Sequence, residues 1–125
     1  MKRTAYRLEF GFKASPHIVH KFLTAPDCLI RWFCDQCDLV DEQYIFVWDD
    51  NQETAIVMDD FEEELLRLRW DSYEANEVQE FKIYTSEVTL DTVVEITGFC
   101  DADDLTSEKA FWASKMNEMK RAMGA

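Results

Sequence analysis

The closing stretch, Leu105 to Gly124, constrains the fold more than any other part of the chain. Leu105, Trp112, Met116, Met119 and Met123 recur at helical spacing, with Lys109 the one interruption, and gather one Trp and three Met on a single stripe. Glu108, Lys115, Glu118 and Arg121 fall on the opposite side and are expected to face water. The pattern predicts an amphipathic helix with Asp104 at its N-cap and Gly124 at its stop. Nearly everything before it alternates as strands do. The stripe therefore needs a sheet to pack on, and the open question is whether sheet and helix leave a cavity between them.

Arg3 to Phe12 reads as a half-buried strand, with Tyr6, Leu8, Phe10 and Phe12 on one side. Ala14-Ser15-Pro16 then supplies a helix start, Ser15 as N-cap and Pro16 at the first helical position. That helix runs to about Leu23, with Ile18, Val19, Phe22 and Leu23 as its apolar side. Pro26 begins a second short helix through about Trp32. After a loop, strands are expected at Asp38–Asp41, Tyr44–Trp48, Thr54–Met58, Leu65–Trp70, Val78–Thr85 and Thr89–Cys100. Turns fall at Asp49 to Gln52 and at the acidic run Asp59 to Glu63. Gly98 reads as a bulge that lets Phe99 change face. Short hairpins make the sheet antiparallel and meandering. The order is strand, two short helices, about six strands and one long helix, within one domain spanning 1–125. A strongly curved sheet wrapped round the last helix would bury both apolar faces.

That order resembles the START-like superfamily, the helix-grip fold of Bet v-type allergens, lipid-transfer domains, polyketide cyclases and activators of the heat-shock chaperone ATPase. Ala14-Ser15-Pro16 is similar to the first-helix start of the chaperone-activator-like members. Ala25-Pro26-Asp27-Cys28-Leu29-Ile30-Arg31-Trp32-Phe33 resembles their second helix. Tyr44 to Asp49 and Leu66-Arg67-Leu68-Arg69-Trp70 resemble two of their strands, and Phe111-Trp112 opens a similar terminal helix. The likeness is greatest to the small START-like proteins of Bacteroidetes. It implies an α+β helix-grip: a curved antiparallel sheet of six to seven strands, two short helices after the first strand, and the long C-terminal helix in the concave face. These are packing motifs and carry no catalytic information. One departure is the turn Asp49-Asp50-Asn51-Gln52, which lacks the glycines of the corresponding loop in chaperone-activator-like members, so properties tied to that loop do not transfer.

Charge narrows the partners. The net charge is −13, and between Trp32 and Leu66 there are twelve Asp or Glu and no Lys, Arg or His. Such a face repels phosphate backbones and anionic membrane surfaces, which argues against nucleic acid and membrane partners. It suits solubility, or a protein partner with a basic surface. The N-terminus lacks the apolar core of a signal peptide, so a cytoplasmic location is expected, with the four Cys as reduced thiols.

Several constellations invite chemistry. Cys34-Asp35-Gln36-Cys37 is a C-x-x-C, but zinc would need Cys28, Cys100 or the His17/His20 pair to converge on it from other elements. Reduced thiols without a metal or redox role are the preferred reading. His17 and His20 have no evident nucleophile or orienting carboxylate, and read as helix-flank residues. The runs Asp59 to Glu64 and Asp101 to Asp104 lack the Gly that a helix-loop-helix calcium site requires, and read as solvated turns and a helix cap. No cofactor is called for and no acid–base pair stands out, so an enzyme such as a cyclase is the weakest reading.

The inward aromatics and methionines are Phe10, Trp32, Phe46, Trp48, Met58, Trp70, Phe81, Trp112, Met116 and Met119. They either close a solid core or line an apolar pocket with adaptable walls. The resemblance implies the pocket. Its candidate ligand-binding residues are Trp32, Phe46, Trp48, Met58, Trp70, Phe81, Trp112, Met116 and Met119. Tyr6, Tyr44 or Arg69 would serve as polar anchors, although alternation points Arg69 outward. The leading expectation is a non-enzymatic module holding a small apolar or amphipathic ligand. The alternative is a chaperone-activator-like interaction domain with a solid core and an acidic working surface.

Overall fold

A computed structural model describes residues 2–124 of the chain. Its elements run β1 (Arg3–Phe12), α1 (Pro16–Thr24), α2 (Pro26–Leu29), β2 (Gln36–Val40), β3 (Gln43–Trp48), β4 (Asn51–Phe61), β5 (Leu65–Trp70), β6 (Gln79–Thr85), β7 (Thr92–Asp101), a 3-10 turn at Ala102–Asp104, and α3 (Leu105–Met123). The seven strands form one antiparallel sheet in the order β1-β7-β6-β5-β4-β3-β2. Consecutive hairpins build β2 to β7, and β1 returns to pair with β7, while α1 and α2 carry the chain from one sheet edge to the other. This is the helix-grip arrangement expected from the element order.

Local chemistry explains the ends of the helices. The Ser15 hydroxyl accepts the Ile18 amide at 3.2 Å, with Pro16 in the first turn. Gly124 ends α3 in the left-handed conformation that glycine tolerates best. Asp104 occupies the N-cap position of α3, but its side chain makes no capping bond. Tyr44 and Trp32 anchor the short helices: the Tyr44 hydroxyl donates to the Thr24 carbonyl, and the Trp32 indole to that of Phe22 at 2.9 Å.

Other expectations are corrected. β4 extends through the acidic run to Phe61, so Asp59 and Asp60 are strand residues paired with β5. Its pairing slips between Val57 and Asp59, and Met58, which shares the parity of exposed Ile56 rather than of buried Ala55, is 40% exposed on the convex face. Met58 therefore does not line the space between the sheet and α3. Ile18 is likewise exposed, and α2 stops at Leu29 with a turn carrying the chain to Phe33. Gly98 marks no bulge, because β1 and β7 pair without interruption from Arg3↔Asp101 to Phe12↔Thr92. Gly98 is needed for space: a Cβ there would lie 2.5 Å from the Tyr6 hydroxyl and 2.8 Å from that of Tyr73.

Trp112, Met116 and Met119 are buried on the stripe of α3, whose packing against the sheet is concentrated on β1 and β7. Met116 and Met119 have no exposed surface. Around Met116 and Met119 the inner side of α3 is solidly packed. Its N-terminal half is different.

Candidate functional site

A cavity of about 410 Å³ lies between the start of α3 and the concave face of the sheet. Trp48, Glu53, Trp70, Gln79 and Cys100 supply its sheet side. Asp104, Glu108, Phe111 and Trp112 come from the helix end, and Phe33, Ser72 and Tyr73 from the connecting turns. Arg3, Phe99 and Asp101 complete the lining.

Aromatic rings define the shape. Phe33 stacks on Trp112 with centroids 5.8 Å apart and planes at 11°, and meets Trp48 edge-on at 5.3 Å. Its backbone is held on both sides: its amide donates to the Leu29 carbonyl at 2.8 Å, and its carbonyl accepts the Trp48 indole at 2.6 Å. Phe111 stands perpendicular to Trp112 at 5.3 Å.

A polar network runs beneath these rings. The Trp70 indole donates to the Gln79 side-chain oxygen at 2.6 Å, and the Gln79 amide nitrogen donates to the Tyr6 hydroxyl at 2.9 Å. Trp112 donates to the same hydroxyl at 3.0 Å, which itself donates to Glu108 at 2.9 Å. Burial, with the nearby Tyr73 and Glu108, raises the Tyr6 pKa far above the ordinary phenol value, so this hydroxyl stays a donor at any ordinary pH. Burial also pushes Tyr73 up to about 12. Glu108 is thus half-buried and bonded inward rather than turned to water, and Lys115 is half-buried too.

Two further carboxylates matter. Glu53 lies across from Phe46 on the concave side of β4, and burial, then Asp71 and Glu108, raises its pKa. Glu77, 4% exposed, is gripped by Arg3 through Nε at 3.1 Å and a terminal nitrogen at 2.5 Å. The Arg3 hydrogen bond holds the Glu77 carboxyl below its usual range although burial acts the other way. Stability from a depressed carboxylate is present above the unfolded pKa, about 4.3, and is lost as pH falls through the lower folded value. Glu77→Gln is expected to cost about 2 kcal/mol at pH 7, less than a fully buried pair because Arg3 keeps some exposure. Urea denaturation of both proteins at pH 7 and below pH 3 checks this: the gap should close at the acid end.

The sequence candidates divide by position. Trp48, Trp70 and Trp112 line the cavity, while Trp32, Phe46 and Phe81 surround a neighbouring void of about 20 Å³. Met116 and Met119 lie in solid core, and Met58 is outside. Of the polar anchors, Tyr6 bonds to lining residues, Tyr44 is engaged with Thr24, and Arg69 donates to the Glu77 carbonyl at 3.2 Å. Phe33, Glu53, Tyr73, Gln79, Glu108 and Phe111 were not anticipated. Two of them carried a readable signal: Gln79 shares the inward parity of Phe81 and Ile83, and Glu53 that of Ala55.

Of the other constellations, Cys100, Asp101 and Asp104 border the cavity, whereas His17, His20, Cys28, Cys34, Cys37 and the run Asp59 to Glu64 do not. Cys28, Cys34 and Cys100 are buried free thiols and Cys37 is half-buried. A hydrogen bond between Cys34 and Cys37 raises the first thiol and lowers the second. Among the described residues, the group of side chains close enough to share a metal ion is His17, Glu62 and Glu63, all exposed, so the four cysteines do not gather. His20 meets Asp60 at 2.7 Å. No helix among the described residues is long and apolar enough to cross a membrane.

A curved antiparallel sheet closed by a C-terminal helix, with a cavity at one end of that helix, defines a helix-grip protein. The chain matches the START-like superfamily domain over residues 1–125, and it belongs to that family. It is similar to a small protein of Bacteroides fragilis solved by NMR, at 26% identity and a TM-score of 0.66, covering 98% of this chain and 93% of that one. The Aha1 dimer from Colwellia psychrerythraea shares the fold at 20% identity and a TM-score of 0.76, covering 98% and 96%. So does an AHSA1-like protein from Aeromonas hydrophila, at 16% identity and a TM-score of 0.79, covering 97% and 92%. No curated protein matches the chain.

Proposed function

We infer that the protein is a non-enzymatic START-like binding module that holds a small amphipathic ligand between the sheet and the start of α3. The observation that carries this reading is the cavity of about 410 Å³, within the range of small-molecule sites, with aromatic walls and a few converging polar groups. The half-buried Glu53, its pKa raised by burial and acidic neighbours, adds to it, since perturbed carboxyls concentrate at working sites. The competing reading, a chaperone-activator-like interaction domain acting through its acidic surface, draws support from Phe61, 53% exposed amid Asp59, Asp60 and Glu62.

Native mass spectrometry of protein isolated from its natural host, with an NMR fragment screen read on the indole signals of Trp48, Trp70 and Trp112, separates the two. A co-purifying mass, or fragments that shift those indoles, is the expected result. If no mass is retained and no fragment moves them, the binding reading is lost and the surface reading takes its place.

A further inference from the structure

The charges in the cavity are poorly matched to a neutral apolar guest. Its lining holds four carboxylates, Glu53, Asp101, Asp104 and Glu108, against one guanidinium. That guanidinium, Arg3, is already engaged by Glu77 and by Asp101 at 3.3 Å. Among the described residues, Glu53 has neither an ion-pair nor a hydrogen-bond partner although it lies on the concave face and is half-buried. Among the described residues, Glu108 meets only the neutral hydroxyl of Tyr6. The positive end of α3 would favour an anion, but Asp104 and Glu108 already answer it. Lys109, next to Glu108 in the chain, is exposed and pairs with no carboxylate of the cavity, and Lys115 pairs with Glu118 at 3.1 Å and sits 5.9 Å over the Phe111 ring.

Aromatic faces beside uncompensated carboxylates attract one class of guest. A cation over an indole or phenyl face is drawn by the ring's quadrupole, the more so where water is excluded. A partly desolvated carboxylate gains most from a charge that enters with the ligand. A small inorganic ion does not fit, because no three acidic side chains of the cavity lie close enough to chelate one.

We propose that the cavity takes an organic cation, an aryl- or alkyl-ammonium whose charged head lies between Glu53 and Glu108 and whose apolar body lies against Trp48, Trp70 and Trp112. This rests on the reading of the cavity as a binding site, and adds the charge of its guest.

Three probes of nearly equal size test it: phenethylammonium, 2-phenylethanol and phenylacetate, titrated at pH 7 and followed by indole NMR shifts. The ammonium is expected to bind at least about tenfold more tightly than the alcohol, and phenylacetate most weakly. Glu53→Gln should weaken the ammonium about tenfold and leave the alcohol unchanged. Glu53 has no partner to lose, so this variant keeps the fold. Glu108→Gln, which can still accept from Tyr6, serves as a second variant with the same expectation. Equal binding of ammonium and alcohol, or variants that change neither, would overturn the cation inference while leaving the binding reading in place. Silence from all three probes also overturns it, and the binding reading falls with it only if the wider fragment screen is blank.

Discussion

Phe33→Ala is expected to destabilise the protein by about 4 kcal/mol, the middle of the range for a buried Phe. Phe33 is 4% exposed and meets six other rings, Trp32, Phe46, Trp48, Trp70, Phe111 and Trp112, at centroid distances from 5.1 to 6.4 Å. The cost has two parts: the transfer energy of the ring, and the void left among neighbours that cannot collapse. Collapse is hindered here because the surrounding side chains are themselves fixed, Trp32 and Trp48 by indole hydrogen bonds and Trp70 through Gln79. Phe33 also borders the main cavity, the groove of about 190 Å³ beside Lys115, and the void of about 20 Å³. It is the partition between them. Its removal should merge the spaces, and Phe33→Leu, which keeps most of the volume, should cost less than about 1.5 kcal/mol. Urea denaturation measures both variants. A loss below about 1.5 kcal/mol for the alanine variant would mean that the rings close over the gap and that Phe33 is no partition.

The contrast between Phe33 and Met58 shows what the sequence could and could not reveal. Strands with clean alternation were legible: β1 and β5 fall on the expected residues, and the stripe of α3 buries Trp112, Met116 and Met119. Met58 is ambiguous in the sequence because β4 carries apolar side chains on both parities, Ala55 and Val57 inward and Ile56 and Met58 outward, so alternation alone does not say which set is buried. Phe33 escapes the pattern for a different reason. It lies in a turn with no periodicity, and only the crossing of α2 over the sheet brings it between Trp48 and Trp112. The cavity's position was equally hidden, since nothing along α3 says which half packs on β1 and β7. The polar lining was partly legible, because an inward Gln or Glu on a strand requires a partner or a ligand. Gln79 found Trp70 and Tyr6, and Glu53 found none. Glu108 could not be read this way. It sits on the polar side of a helix whose stripe looked complete without it.

Tyr6→Phe is expected to cost about 3 kcal/mol, although it removes a single oxygen. That oxygen accepts from Gln79 and Trp112 and donates to Glu108, so every bond it can make is made. The ring stays in place, held over Gly98, whose missing Cβ leaves the room it occupies. Loss therefore falls on the partners. The Trp112 indole N–H and one Gln79 N–H are left without an acceptor, at about 1–3 kcal/mol each when buried, and Glu108 loses the Tyr6 donor. Water limits the damage, because Trp112, Gln79 and Glu108 border the cavity and a molecule entering it can take over part of the bonding. Without that access the cost would approach the sum of both orphaned donors. The effect should be local. In the variant the Trp112 indole proton should shift strongly, and Trp70 should follow because its acceptor Gln79 loses its anchor, whereas Trp32, bonded to the Phe22 carbonyl, should not move. Tyr73→Phe makes the comparison, since its hydroxyl accepts the Phe99 amide and its loss should cost only about 1 kcal/mol. If Tyr6→Phe proves no more costly than Tyr73→Phe, the hydroxyl is not the junction of the network, and the rings alone hold the upper wall of the cavity.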